Sequence, residues 1–145
     1  MILPITLTIA GAAALLNLWL AIRIGRIRSA QKVFMGDGGN EALIGRMRAQ
    51  ANFVEYTPFF LILLGLVEMA RGTNFWLWIV GALYILARIA HALGMDVQNS
   101  RATQQRLRGA GILITMVALL GLAIYALTIP YLSAAGITTQ RVPVG

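Results

Sequence analysis

Four apolar stretches, separated by short polar segments, organise this chain. They cover about residues 3–22, 49–69, 75–93 and 107–132, each close to the roughly 20 helical residues that cross a hydrocarbon core. From 59 to 67 the residues are hydrophobic on every side of a helix, which leaves no face for water. The pattern predicts an all-α fold: an integral membrane bundle of four transmembrane helices, one domain over residues 1–145. The first stretch has no basic residue before Arg23 and exceeds a signal peptide's apolar region. It is expected to be retained.

The polar segments read as connections. Gly36-Asp37-Gly38-Gly39-Asn40 is a turn cluster that stops any helix. It lacks the Lys and Ser/Thr of a phosphate-binding loop, and no strand precedes it. Arg71-Gly72-Thr73-Asn74 is a short turn that makes an antiparallel hairpin of the second and third helices. Residues 94–100 form the last connection, and 133–145, with Pro143, read as a frayed tail. Within the spans, Gly11, Gly65, Gly81, Gly111 and Gly121 suit close helix packing. Pro58 is expected to kink the second helix just after Glu55, because it removes an amide donor.

Composition agrees with a bundle in lipid: 59% of residues are hydrophobic, 12% are charged, and the mean hydropathy is +0.76. The net charge of +7 would suit a nucleic-acid binder, but the distribution of the charges argues otherwise. Ten of the twelve basic residues lie in or beside two connections. Arg23, Arg26, Arg28, Lys32, Arg46 and Arg48 flank the first; Arg88, Arg101, Arg106 and Arg108 flank the last. By the positive-inside pattern both of these connections are expected in the cytoplasm and both termini outside. Without cysteine there are no disulfides or thiolate metal sites, so any thiol chemistry must use a substrate's thiol.

Two polar stripes interrupt the apolar pattern. Arg48, Asn52 and Glu55, four and three residues apart, share one face of the second helix. Tyr84, Arg88 and His91 repeat the same spacing on the third. At the start of the fourth, Arg101, Gln105 and Arg108 share a face from which Arg106 diverges. Together they predict a basic cavity at the cytoplasmic end, with arginines for carboxylates and apolar walls for a lipophilic partner. An ionisable side chain at membrane depth is a functional candidate by default. The alternatives are structural. Glu55 can form a register-fixing ion pair with Arg48 or Arg88, and Arg23, Arg26, Arg106 and Arg108 can reach to lipid headgroups. His91, the only histidine, suits a helix-end hydrogen bond better than a metal, for which it has no companions.

The string Arg48-Ala49-Gln50-Ala51-Asn52, followed by Glu55-Tyr56 and Pro58, resembles the second-helix signature of the MAPEG superfamily, the membrane-associated proteins in eicosanoid and glutathione metabolism. Ala87-Arg88 with His91 resembles its third-helix motif, and Lys32-Val33-Phe34 its first loop. The resemblance implies a homotrimer of four-helix subunits that binds glutathione between neighbours, with no metal. It also implies residue roles. Arg48, Asn52, Glu55 and Tyr56 would contact glutathione, Arg28 or Lys32 and Arg88 would add positive charge, and His91 belongs to the same motif. For the thiol-activating arginine two positions compete. Arg101 matches the microsomal-transferase pattern, whereas Gln105-Arg106-Leu107 resembles the leukotriene-synthase string, as does the Glu-Tyr-x-Pro spacing. That spacing favours Arg106.

The chain departs from the pattern at Met95, where relatives usually carry a tyrosine, and at Gln50, where some carry histidine. The expected activity is glutathione transfer, with or without peroxidase action, to lipophilic electrophiles in the bilayer. The rival is a nonenzymatic lipid-binding or scaffold protein of the same fold. Transport is disfavoured, because the outer half of every span is apolar except for Glu68 near its end.

Overall fold

A computed structural model describes residues 2–96 and 98–134. It contains four helices, α1 (Pro4–Gln31), α2 (Glu41–Arg71), α3 (Phe75–Gly94) and α4 (Arg101–Ala134). All four are long and apolar enough to cross a membrane. Each contains its predicted span, save that Leu3 caps α1 rather than joining it, but α1, α2 and α4 run well beyond theirs into the basic segments. The helical pattern there is carried by charged and small residues rather than apolar ones. Most of the expected tail, 135–145 including Arg141, lies outside the described residues.

Local chemistry sets the ends. The Val33 amide donates to the Arg28 carbonyl at 3.0 Å, a Schellman-type closure that puts Lys32 in the left-handed region at φ 53°. Gly36, Gly38 and Gly39 follow, all at positive φ, as the turn cluster requires. Asn40 then caps α2, its side-chain oxygen accepting from the Leu43 amide at 3.0 Å. Helix α2 continues through Pro58 as one helix.

The packing is antiparallel between chain neighbours. Glu68, near the end of α2, meets Ile5 at the start of α1, while Arg46 bonds the Arg23 carbonyl at the other end. Helices α3 and α4 meet where glycine removes the side chain. A Cβ on Gly111 would lie 2.6 Å from the Ala87 carbonyl oxygen, and one on Gly94 would lie 2.5 Å from the Arg108 amide nitrogen. Two apolar clusters hold the bundle together. One, around Ile5, Phe60, Leu64, Leu77 and Tyr84, fills the end where α1 begins and α2 finishes. The other, around Ala13, Leu16, Leu20, Ala49 and Phe53, fills the basic end. Phe60 and Tyr84 stack with centroids 3.7 Å apart. Beyond its basic start α4 presents an apolar face: Leu113, Val117, Leu120, Ile124 and Leu127 are all exposed, as suits a surface solvated by lipid.

Glu68 is the residue whose role the sequence pattern missed. It is 1% exposed. Its carboxylate accepts from the Ile5 amide at 3.0 Å, the Thr6 amide at 2.8 Å, the Thr6 hydroxyl at 2.7 Å and the Thr73 hydroxyl at 3.2 Å. Leu3, at the N-cap of α1, has no side-chain acceptor. The carboxylate from α2 therefore satisfies amides that the first turn of α1 leaves free, and it sits at the positive end of that helix.

Candidate functional site

The basic end of the subunit holds a cleft of about 670 Å³ between the start of α2 and the start of α4. Arg48 reaches it from α2, and Arg101, Gln104, Gln105 and Arg108 reach it from α4. Its floor is Gly45, Gly94 and Met95. That floor is tight: a Cβ on Gly45 would stand 2.6 Å from the Met95 carbonyl oxygen. Three exposed arginines thus border one concave surface with a single carboxylate, Glu41, beside them. Such a cleft attracts anions. The stripe of Arg101, Gln105 and Arg108 does line it, and Arg106, although exposed, does not.

Behind the cleft, the third-helix stripe faces wholly inward. Tyr84, Arg88 and His91 are 0%, 2% and 3% exposed. The Arg88 guanidinium donates to the Asn52 side-chain oxygen at 2.7 Å and to the Thr115 hydroxyl at 3.4 Å, and it lies 5.9 Å from the centre of the Phe53 ring. Tyr84 shares a hydrogen bond of 3.1 Å with Thr57. His91, packed against Gly111, makes no hydrogen bond through Nδ1, so the expected helix-end bond does not involve that atom. No group of three or more His, Cys, Asp or Glu side chains converges among the described residues.

The second-helix stripe is on the subunit surface. Arg48 and Glu55 are exposed, Asn52 and Tyr56 half-buried. Among the described residues Glu55 has no ion pair with Arg48 or Arg88, so the register-fixing alternative is not formed within the subunit. On α1, Arg28 is tied to its own helix end and to α2, donating to the Val33 carbonyl at 3.3 Å and contacting the Met47 sulfur at 3.4 Å. Lys32 is exposed, and neither residue lines the cleft.

Arg23 departs from expectation. Rather than reaching to headgroups it is 8% exposed, paired with Asp96 and stacked 4.4 Å from the centre of the Trp19 ring. Arg46 bonds the same Asp96 oxygen at 3.3 Å. Asp96 was invisible as a partner, because it stands alone in a connection far from either arginine in sequence.

The model of the MAPEG family matches residues 6–128, and the chain belongs to that family. It is also similar to the inner membrane protein YecN of Escherichia coli K12, 30% identical over 82 residues, and equally to the YecN of Escherichia coli O6:H1. The matched region is 57% of this chain and 63% of each relative. The protein is a multi-pass membrane protein of the MAPEG family, and the relatives' name specifies a membrane and no reaction.

Proposed function

We propose that the protein is a membrane-embedded glutathione transferase, with or without peroxidase action, working on lipophilic electrophiles dissolved in the bilayer. The observation that carries this reading is the cleft bordered by Arg48, Arg101 and Arg108, with Asn52, which does not line it, one turn along α2 from Arg48 and held by Arg88. Glutathione carries two carboxylates and a thiol, and guanidinium forks match carboxylates in pairs. Arg48, Asn52, Glu55 and Tyr56 hold the tripeptide, Arg88 orients Asn52 from behind, and His91 packs against Gly111 of α4. The edge formed by half-buried Arg28 and exposed Lys32 serves the neighbouring copy of a homotrimer. No metal takes part in this reading.

A thiol of this type has a pKa of about 8.5, so at neutral pH only a small fraction is thiolate. A guanidinium in a poorly hydrated cleft favours the anion, each unit of depression being worth about 1.36 kcal/mol. The thiolate attacks the electrophilic centre, the sulfur–carbon bond forms, and the leaving group departs with the electron pair. Arg101 can supply the guanidinium within one subunit, whereas Arg106, exposed and off the cleft, would supply it to a neighbouring copy. The cleft opens to the cytoplasm, with both termini on the other side, as the clustering of basic residues favours.

The experiment is a thiolate absorbance titration of detergent-solubilised protein with glutathione, followed by a panel of electrophiles. Thiolate absorbance with turnover is expected. Bound glutathione without turnover would favour the nonenzymatic lipid-binding or scaffold reading.

A further inference from the structure

Asp96 belongs to none of the motifs that suggest glutathione chemistry, yet it is the most connected carboxylate at the basic end. Its Oδ1 accepts from Arg23 of α1 and, at 3.3 Å, from Nε of Arg46 of α2. Arg46 also donates through Nη1 to the Arg23 carbonyl at 3.1 Å, which closes a three-way clamp. Two helices are thereby fastened to the connection between α3 and α4. Helices α1 and α4 do not otherwise touch among the described residues.

The clamp and the cleft share their backbone. Met95, the residue before Asp96, lies on the cleft floor with its carbonyl against Gly45, and Arg46 follows Gly45. Arg46 and Arg48, two apart on α2, point to different sides, the first to Asp96 and the second to the cleft. At the far end of the connection stands Arg101, the first residue of α4. We propose that Asp96 is a positioning residue for the arginine cleft: by holding Arg23 and Arg46 it fixes the start of α4 so that Arg101 faces Arg48. It also occupies two cations that would otherwise compete with the cleft for an anion. Only the binding part of this inference rests on the glutathione reading.

The chain has no cysteine, so spin labels can be placed at Ser29→Cys on α1 and Ala102→Cys on α4, both exposed positions, without background. The parent is expected to give a narrow distance distribution, Asp96→Asn a broad one, and Asp96→Glu a narrow one again. Arg46→Gln, which retains the Arg23 pair, is expected to broaden it too, and supplies the measurement if Asp96→Asn does not fold. In calorimetric titration Asp96→Asn should bind glutathione at least tenfold more weakly, with Asp96→Glu restoring most of the affinity. An unchanged distribution in folded Asp96→Asn overturns the proposal whatever glutathione does. A broadened distribution with undiminished glutathione affinity overturns it as well, because Asp96 would then be structural only. Broadening in a protein whose parent binds no glutathione upholds the positioning of Arg101 and overturns the choice of ligand instead.

Discussion

Arg88 grips Asn52 by its side-chain oxygen at 2.7 Å, joining a fully buried cation on α3 to a half-buried amide on α2. The two residues belong to different motifs. Their contact is part of what makes a charged residue tolerable inside an apolar bundle: Asn52 and Thr115 accept from its two terminal nitrogens, while Nε has no partner and no carboxylate bonds it among the described residues. Among those residues the Asn52 amide nitrogen forms no hydrogen bond, which leaves a donor for a ligand on the α2 surface.

Asn52→Ala and Glu55→Gln should therefore separate. Removing Asn52 strips the nearest acceptor from a buried guanidinium and should lower stability by about 1.5 to 3 kcal/mol, the range for hydrogen bonds to charged groups. Glu55 is exposed and without an ion pair among the described residues, so Glu55→Gln should leave the unfolding temperature unchanged. Both should weaken glutathione binding. Thermal unfolding in detergent and calorimetric titration measure the two effects, and normal binding by both variants would return this face to a structural role.

Glu68 predicts the opposite separation. Glu68→Ala leaves the Ile5 and Thr6 amides without their acceptor, at about 1 to 3 kcal/mol for each buried amide. The cleft lies at the other end of the bundle, so glutathione affinity should be unaffected in the protein that remains folded. Hydrogen exchange at the Ile5 and Thr6 amides should accelerate before that of the rest of α1. Unchanged exchange would mean that Leu3 and the lipid interface suffice as a cap.

The glycines divide by what surrounds them. Gly111→Ala should push α3 from α4, since the new methyl would meet the Ala87 carbonyl and the His91 backbone. Gly121 has nothing within 4 Å of a built Cβ. Gly121→Ala should leave the subunit fold intact and stabilise α4 slightly, by about 0.5 to 1 kcal/mol on helix propensity. Circular dichroism and unfolding midpoints test the pair. Loss of assembly by Gly121→Ala in a folded subunit would place a neighbouring copy on that face.

These outcomes show what sequence could reveal. Apolar runs of about twenty residues are periodic and local, so four spans, their turn at Arg71 to Asn74 and the shared face of Tyr84, Arg88 and His91 were legible, but that face is buried behind the cleft it was expected to line. Helix length beyond the spans was not, because nothing apolar marks where α1 leaves the bilayer. Contacts between distant single charges were not legible either. Arg23 reads as a headgroup residue until Asp96 is seen beside it, and Glu68 reads as an isolated acid until α1 ends on it. The Arg101, Gln105 and Arg108 face was visible as helical spacing, but the cleft opposite required α2 to be set in place.

The disputed arginines give the last prediction. Arg101 lines the subunit's own cleft and Arg106 leaves it on another side of α4, so the two can serve different thiols. If activation is internal to a subunit, Arg101→Leu should abolish the thiolate absorbance at neutral pH, and raising the pH should recover part of the rate as the thiol ionises unaided. Arg106→Leu would then be mild. If activation crosses between copies, Arg106→Leu takes the larger loss. Mixed assemblies of Arg48→Ala and Arg106→Leu subunits should then regain activity, because an intact binding surface on one copy faces an intact Arg106 on the next. Thiolate absorbance undiminished in both single variants would sink arginine activation altogether.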